Sequence, residues 1–444
     1  MGLSYQKTRG AHEMRIAYFS PVSPQKTGIA DYTEREILPY LSKFFDIDVF
    51  IDRKIQPTNP YLTKNFDCFS YEIFPKKAHN YDIPVYQMGN NIYHKFIYDT
   101  LLVYPGITVL HDIYLHGFFW GQSLAQGDYD RYISEFEYCY GDSGKRAALN
   151  AIHSGVYPEF SFPLIKRIID HSLGVICHSE FGASKVFAEQ PDSICAIIPQ
   201  PFTIQNNPPE TKARENEQIP ITKEIFNKFP IVTSFGYISA HKRYDIILDT
   251  FKKFITRYPE AVYVIIGRDD IGLSEMIRES GLEGKVIITG FVTDDIIVHL
   301  LNISDFCVNL RYPTAGETSR SVLQIMSLGK PVIVSNVGWF SELPNDACLK
   351  IDVDSYQSSI LYEFFDLLST NQKINTIIGK HAREYIKKRH DPATVAKQYH
   401  EFIKNVLNGD ELIINIISKR LNDVGIYQQD TDLIRTQVKK MQTM

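Results

Sequence analysis

The chain has 444 residues, of which 44% are hydrophobic and 22% charged, and its formal net charge is -5. That length is too great for one hydrophobic core and predicts two domains of roughly 200 residues each. The mildly acidic balance argues against nucleic acid as the main partner, and the apolar content is that of an ordinary globular protein.

No apolar run approaches the roughly 18 residues that a bilayer span requires. Residues 1–13 are polar and lack the apolar stretch of a signal peptide. They read as an extension ahead of Met14, which directly precedes a strand pattern. Cys68, Cys139, Cys177, Cys195, Cys307 and Cys348 are scattered, without a C-x-x-C pair. Cys177, Cys195 and Cys307 lie in apolar stretches and read as buried free thiols, which predicts a reducing, cytoplasmic setting.

In chain order, residues 15–19 form the first apolar strand pattern, followed by a loop over 20–31, a helix over 32–41 and a strand over 47–51. This is a βαβ unit, which builds parallel sheets through right-handed crossovers. Further strands are predicted at 84–88, 107–110 and 173–177, with a helix over about 92–102. Residues 117–161 are aromatic and polar without clean periodicity and read as an inserted helical excursion. Residues 203–222 are polar and charged and carry two adjacent prolines, Pro208 and Pro209, the composition of a linker. A second series follows, with strands at 231–235, 262–266, 286–289, 306–310 and 332–334 and helices such as 245–255 and 358–368. Continuous apolar strands imply sheets covered on both faces. The expected architecture is therefore α/β, with two Rossmann-like doubly wound domains over 14–202 and 223–390 facing a central cleft. Helices over 391–444 are expected to pack back on the N-terminal domain. In such folds ligands gather where strands end in loops and helix N-termini.

The loop after the strand at 306–310 carries the clearest chemistry. It runs Arg311-Tyr312-Pro313-Thr314-Ala315-Gly316-Glu317-Thr318-Ser319 into a helix that Gly329 and Pro331 end. Thr318 or Ser319 can cap that helix, whose exposed N–H groups and dipole suit an anion. Gly316 would let a diphosphate approach the backbone closely.

This segment, with its continuation Gly329-Lys330-Pro331-Val332 through to Gly338 and Glu342, resembles the donor-binding motif of family 4 retaining glycosyltransferases (glycosyl transferases group 1). The likeness runs from about Met14 to about Tyr399 and implies the two-domain GT-B fold. It also implies a nucleotide diphosphate sugar as donor, without a further cofactor or metal. In the register of the family's two glutamates the first falls on Gly316, with Glu317 one position on, and the second on Gln324. An amide can still bond a ribose diol, though without charge assistance.

Ser234 to Arg243 resembles the loop in which an arginine and a lysine neutralise the donor diphosphate. Gly236 and Lys242 match that pattern, Tyr237 takes the arginine position, and Arg243 can restore the charge. Positive charge there helps a departing diphosphate. Gly28, in Thr27-Gly28-Ile29, resembles the family's N-terminal glycine loop, and Gly290-Phe291 the segment whose backbone holds the nucleobase. A G-x-G-x-x-G fingerprint is absent, which disfavours a dinucleotide-dependent dehydrogenase. The resemblance implies that His111 stands beside the reacting sugar, as does Glu317, and His111, Lys242 and Glu317 are the expected catalytic residues. Asn90, Asn91 and His116 are candidates for the acceptor side. The competing reading of His111 is a structural histidine that caps a helix.

The resemblance further implies retaining transfer to a hydroxyl of a saccharide or lipid-linked acceptor of the cell surface. The rivals are a sugar-nucleotide epimerase of the same fold and a non-catalytic partner subunit. A phosphorylase would need a pyridoxal-lysine motif that is not found. Four D-x-D matches, at Asp46, Asp128, Asp352 and Asp430, read as chance. The basic run at 387–390 reads as a solvated helix end that would also suit peripheral contact with an anionic inner membrane face.

Overall fold

The structure, a computed structural model, describes residues 14–204 and 228–409 together with Ile414 and Ile417. The 1–13 extension and nearly all of the predicted 203–222 linker lie outside the described residues, as do most positions after 409.

Two compact units emerge. The first comprises Met1–Pro201, Ala315–Glu317 and Pro392–Met444, the second Phe202–Thr314 and Thr318–Asp391. The first unit holds seven strands: β1 (Arg15–Phe19), β2 (Asp46–Ile51), β3 (Asp67–Ser70), β4 (Ile83–Met88), β5 (Gly106–Leu110), β6 (Ser172–Cys177) and β7 (Cys195–Ile197). They pair in parallel in the order β3-β2-β1-β4-β5-β6-β7. Alternation along β1 covers both faces: Ala17 and Phe19 enter one core cluster, Ile16 and Tyr18 the other. The second face is completed by the helix Pro392–Leu407, which lays Val395, Ala396, Tyr399, Phe402 and Ile403 into the core of the first unit.

The second unit holds β8 (Ile231–Phe235), β9 (Val262–Ile266), β10 (Val286–Ile288), β11 (Phe306–Asn309), β12 (Val332–Ser335) and β13 (Leu349–Ile351) in the parallel order β10-β9-β8-β11-β12-β13. In both sheets the first strand lies centrally and the fourth is its other neighbour. The connections therefore reverse direction between β1 and β4 and between β8 and β11. Such a reversal splays the loops at the carboxyl ends and opens a crevice there.

Three strands went unpredicted, β3, β7 and β13, and each is a sheet edge. These edge strands pair on one side only and run to three or four residues, which leaves each little to mark it out, although β7 is wholly apolar. The predicted helix over 32–41 begins earlier. It continues without a break from Gly28–Asp31, capped by Thr27, through a π-helical turn at Tyr32–Ile37 to Leu38–Leu41. The excursion at 117–161 contains the long helix Tyr129–Ser154, which is broken at Gly141 (φ 60°, ψ -145°). Among the described residues no helix is long and apolar enough to cross a membrane.

Candidate functional site

In the second unit the carboxyl ends of β8 and β11 converge on Gly236. Its φ of 109° is left-handed, and an added Cβ would stand 3.0 Å from Lys242 Nζ and 3.1 Å from Ser321 Oγ. The backbone conformation and the crowding both require glycine. Lys242, only 4% exposed, donates from Nζ to the Phe235 carbonyl at 2.9 Å. Asn309 Nδ2 reaches the same carbonyl at 3.3 Å and Ser321 Oγ at 3.5 Å. Arg243 adopts φ 54° at the entry to the helix Tyr244–Arg257, and its Nε lies 3.5 Å from Asp245 Oδ1.

The helix expected to offer its N-terminus to an anion is Arg320–Ser327. Of the two candidate caps Ser319 serves, its Oγ accepting from Val322 N at 3.4 Å. Ser319 Oγ also lies 3.2 Å from Ser321 Oγ. Thr318 Oγ1 is buried and has no hydrogen-bond partner among the described residues. The cluster is thus one ammonium, several hydroxyls and a helix N-terminus at a sheet crevice, the donor set that binds phosphate oxygens. Gln324 sits half-buried on the same helix. Gly290 (φ 73°) ends the β10 segment, and Phe291 beside it is 79% exposed.

In the first unit the ends of β4 and β5 build a polar cluster. His111 Nε2 lies 2.8 Å from Gln87 Oε1, and the ring is flanked by Tyr32 at 4.6 Å and His178 at 5.0 Å between centroids. Burial first, then the neighbouring His178 and His94, hold His111 well below the ordinary histidine range. Asp112 accepts from Asn90 N at 2.8 Å. Burial pushes its carboxyl up to about 6, the Asn90 N–H opposes this, and the charge of Glu317 adds to it. Residues 315–317 belong to this unit because Ile113 N and Tyr114 N both donate to Ala315 O, at 2.8 and 3.1 Å. Gly316, at φ 79°, would place a Cβ 2.8 Å from Ile113 Cβ. His111 caps no helix; it sits at the carboxyl end of β5 as the pattern implied.

Three expected positions have structural work instead. His116 is a core residue, with Nε2 2.9 Å from the Tyr132 hydroxyl, and burial takes it down to about 4. That corrects its placement on an acceptor-facing surface, since at 3% exposure it has no open side. Asn90 Oδ1 accepts from Phe118 N at 2.9 Å, and Asn91 caps the turn Ile92–His94. Gly28 opens its helix, and a Cβ there would meet nothing within 4 Å, so no close approach demands glycine.

The D-x-D pairs are accounted for locally. Asp48 binds Arg15 Nη2 and the Tyr81 hydroxyl, Asp128 caps the helix Tyr129–Ser154, and Asp352 holds Asn336. Asp430 lies outside the described residues. Sequence inspection missed Gln87, Asn309 and Ser321. Gln87 had a signal, a polar residue inside an otherwise apolar strand.

Residues 215–385 match the family model of glycosyl transferases group 1. Mannosylfructose-phosphate synthase of Agrobacterium fabrum is 28% identical over 116 residues, which cover 24% of this chain and 25% of that protein. Alpha-D-kanosaminyltransferase of Streptomyces kanamyceticus is 23% identical over 158 residues, covering 34% of this chain and 40% of that protein. The matched stretches thus span a quarter and two fifths of those relatives. HepE of Anabaena, solved in complex with UDP and glucose, superposes with a TM-score of 0.57 at 17% identity over 88% of this chain and 100% of that one. That likeness is one of fold, two Rossmann-like α/β domains of the GT-B kind. Over residues 215–385, the chain is thus similar to the glycosyl transferases group 1 family.

Proposed function

We propose that the protein is a glycosyltransferase that moves a sugar from a nucleotide diphosphate sugar to a hydroxyl acceptor. The observation that carries this is the cluster at the β8/β11 crevice, where Gly236, buried Lys242, Ser321 and the Ser319-capped helix meet. The diphosphate lies against Lys242 and the first turn of Arg320–Ser327, with Arg243 adding charge. Thr318 Oγ1 donates to a phosphate oxygen, and Gln324 bonds the ribose. The backbone at Gly290 and Phe291 receives the base. As the sugar departs, charge grows on the leaving diphosphate, and donors already in place stabilise it without reorganisation.

His111 and Glu317 are the residues we read as facing the transferred sugar. We read the transfer as retaining and independent of a metal ion, the acceptor as a saccharide or lipid-linked saccharide, and the setting as cytoplasmic or peripheral to the inner membrane face. The HepE structures, one with UDP and glucose and another with UDP-glucose, make UDP-glucose the first donor to try.

The test is a thermal-shift screen across UDP-, GDP- and ADP-sugars. A true donor at 100 times its dissociation constant stabilises by about 2.7 kcal/mol. Lys242→Ala is expected to lose most of that shift, and an unchanged shift would remove Lys242 from the phosphate site. Product analysis then separates transfer from epimerisation, and donor hydrolysis without acceptor excludes a non-catalytic subunit. Turnover should survive EDTA; loss that Mg²⁺ restores would overturn the metal-independent mechanism.

A further inference from the structure

Gln87 is out of place by composition. It lies in β4 between Tyr86 and Met88, fully buried in the centre of a parallel sheet, and its Nε2 has no hydrogen-bond partner among the described residues. A buried amide with half its capacity unmet is disfavoured against an apolar side chain of the same size. What the amide does satisfy is the site. Its Oε1 faces His111 Nε2 at 2.8 Å, while its backbone carbonyl faces His94 Nδ1 at 2.9 Å.

In this amide orientation Gln87 Oε1 faces the ring and can only accept, so His111 carries its proton on Nε2. The other ring nitrogen, Nδ1, has no hydrogen bond within the described structure. Tyr32 and His178 hold the ring by its faces and edge, and the Tyr32 hydroxyl is in turn 2.6 Å from that of Tyr399 on the C-terminal helix.

We propose that Gln87 is a positioning residue that locks His111 in its Nε2–H tautomer, so that His111 meets the substrate through Nδ1 as an acceptor for a sugar hydroxyl. The functional half of this rests on the transferase reading above; the tautomer does not. Burial keeps the imidazole neutral, which preserves the Nδ1 lone pair, and the single ring proton is already committed to Gln87. His111 is therefore not a donor to the developing charge. It orients the sugar by accepting from it, and Gln87 fixes which nitrogen does so.

The experiment uses the full chain labelled with ¹⁵N-histidine at pH 7, with His111 assigned by the resonance that His111→Ala removes. The expected spectrum has a protonated Nε2 and a bare Nδ1. Gln87→Met keeps the length and removes the acceptor; loss of the His111 bond is offset by removal of the unmet amide nitrogen, so this variant should melt close to the wild type. Its His111 signal should shift toward a mixture of tautomers. An Nδ1–H form in the wild type, or an unchanged spectrum in Gln87→Met, would overturn the proposal. With the nucleotide sugar that gives the largest thermal shift, Gln87→Met should lower kcat by at least about tenfold while donor KM stays within about twofold. Wild-type kcat in Gln87→Met overturns the positioning role. Wild-type turnover in His111→Ala overturns the sugar contact itself, and the spectrum still decides the Gln87–His111 bond.

Discussion

Gly316 and Thr318 stand two residues apart and make opposite demands. Gly316 needs both its left-handed φ and the absence of a Cβ, since Ile113 occupies that space. Gly316→Ala is expected to destabilise the protein by about 2 kcal/mol through backbone strain and overpacking, read as a lower denaturation midpoint. An unchanged midpoint would show that the loop relaxes freely. Thr318 already carries an unmet buried hydroxyl, so Thr318→Val should leave the melting temperature of the free protein equal or higher. The same substitution should weaken donor binding about tenfold, because the bound phosphate loses a hydrogen bond to a charged acceptor. Equal affinity in titration calorimetry would take Thr318 out of the donor site. The alignment of motifs marked Glu317 and Gln324 as irregular, and neither identity could be turned into a contact from sequence. Their surroundings come from segments distant in the chain, such as Asp112 beside Glu317.

Elements were legible in proportion to their burial. The strands β3, β7 and β13 pair on one side only and run to just three or four residues each. The helix Arg320–Ser327 was readable from its punctuation, yet only the backbone chose Ser319 over Thr318 as its cap. Ser319→Ala should cost about 1 kcal/mol of stability. It should also reduce the donor-dependent thermal shift, and an intact shift would separate the cap from the anion site. The C-terminal helix Pro392–Leu407 showed little core pattern in sequence because its partners lie in the first unit. Val395, Tyr399, Phe402 and Ile403 complete a core whose other members begin at Ile16. Truncation after Asp391 should leave the first unit without cooperative melting; a sharp transition in calorimetry would contradict that packing.

The whole molecule carries an asymmetric acid sensitivity. Burial takes His94, His116 and His178 down to about 4 and His111 well below its ordinary range, all in the first unit. Unfolded histidines bind protons below about 6.5. The stability these four contribute is therefore present above pH 6.5 and lost as the pH falls toward 4. Asp112, raised to about 6, acts in the opposite sense, as do Glu135 and Glu189, which burial also raises. The histidines outnumber these carboxyls, leaving a slope of roughly 1–4 kcal/mol per pH unit near pH 5.5. The first unit should melt at a lower temperature at pH 5 than at pH 7, followed by calorimetry; an unchanged transition would contradict the neutral buried imidazoles.

What the sequence determined by itself was local: two series of βα units, their central strands, the glycine and proline punctuation, and a loop running into a capped helix after β11. These follow from short-range patterns of apolar residues and backbone preference. Strand order is not such a pattern, because any parallel order satisfies the same apolar runs. Only the tertiary structure brought β8 beside β11, and with them Gly236, Lys242, Asn309 and Ser321 around one crevice. Only it turned Gln87 from an odd residue in an apolar strand into the partner of His111, since a hydrogen bond between neighbouring strands exists once their register is set.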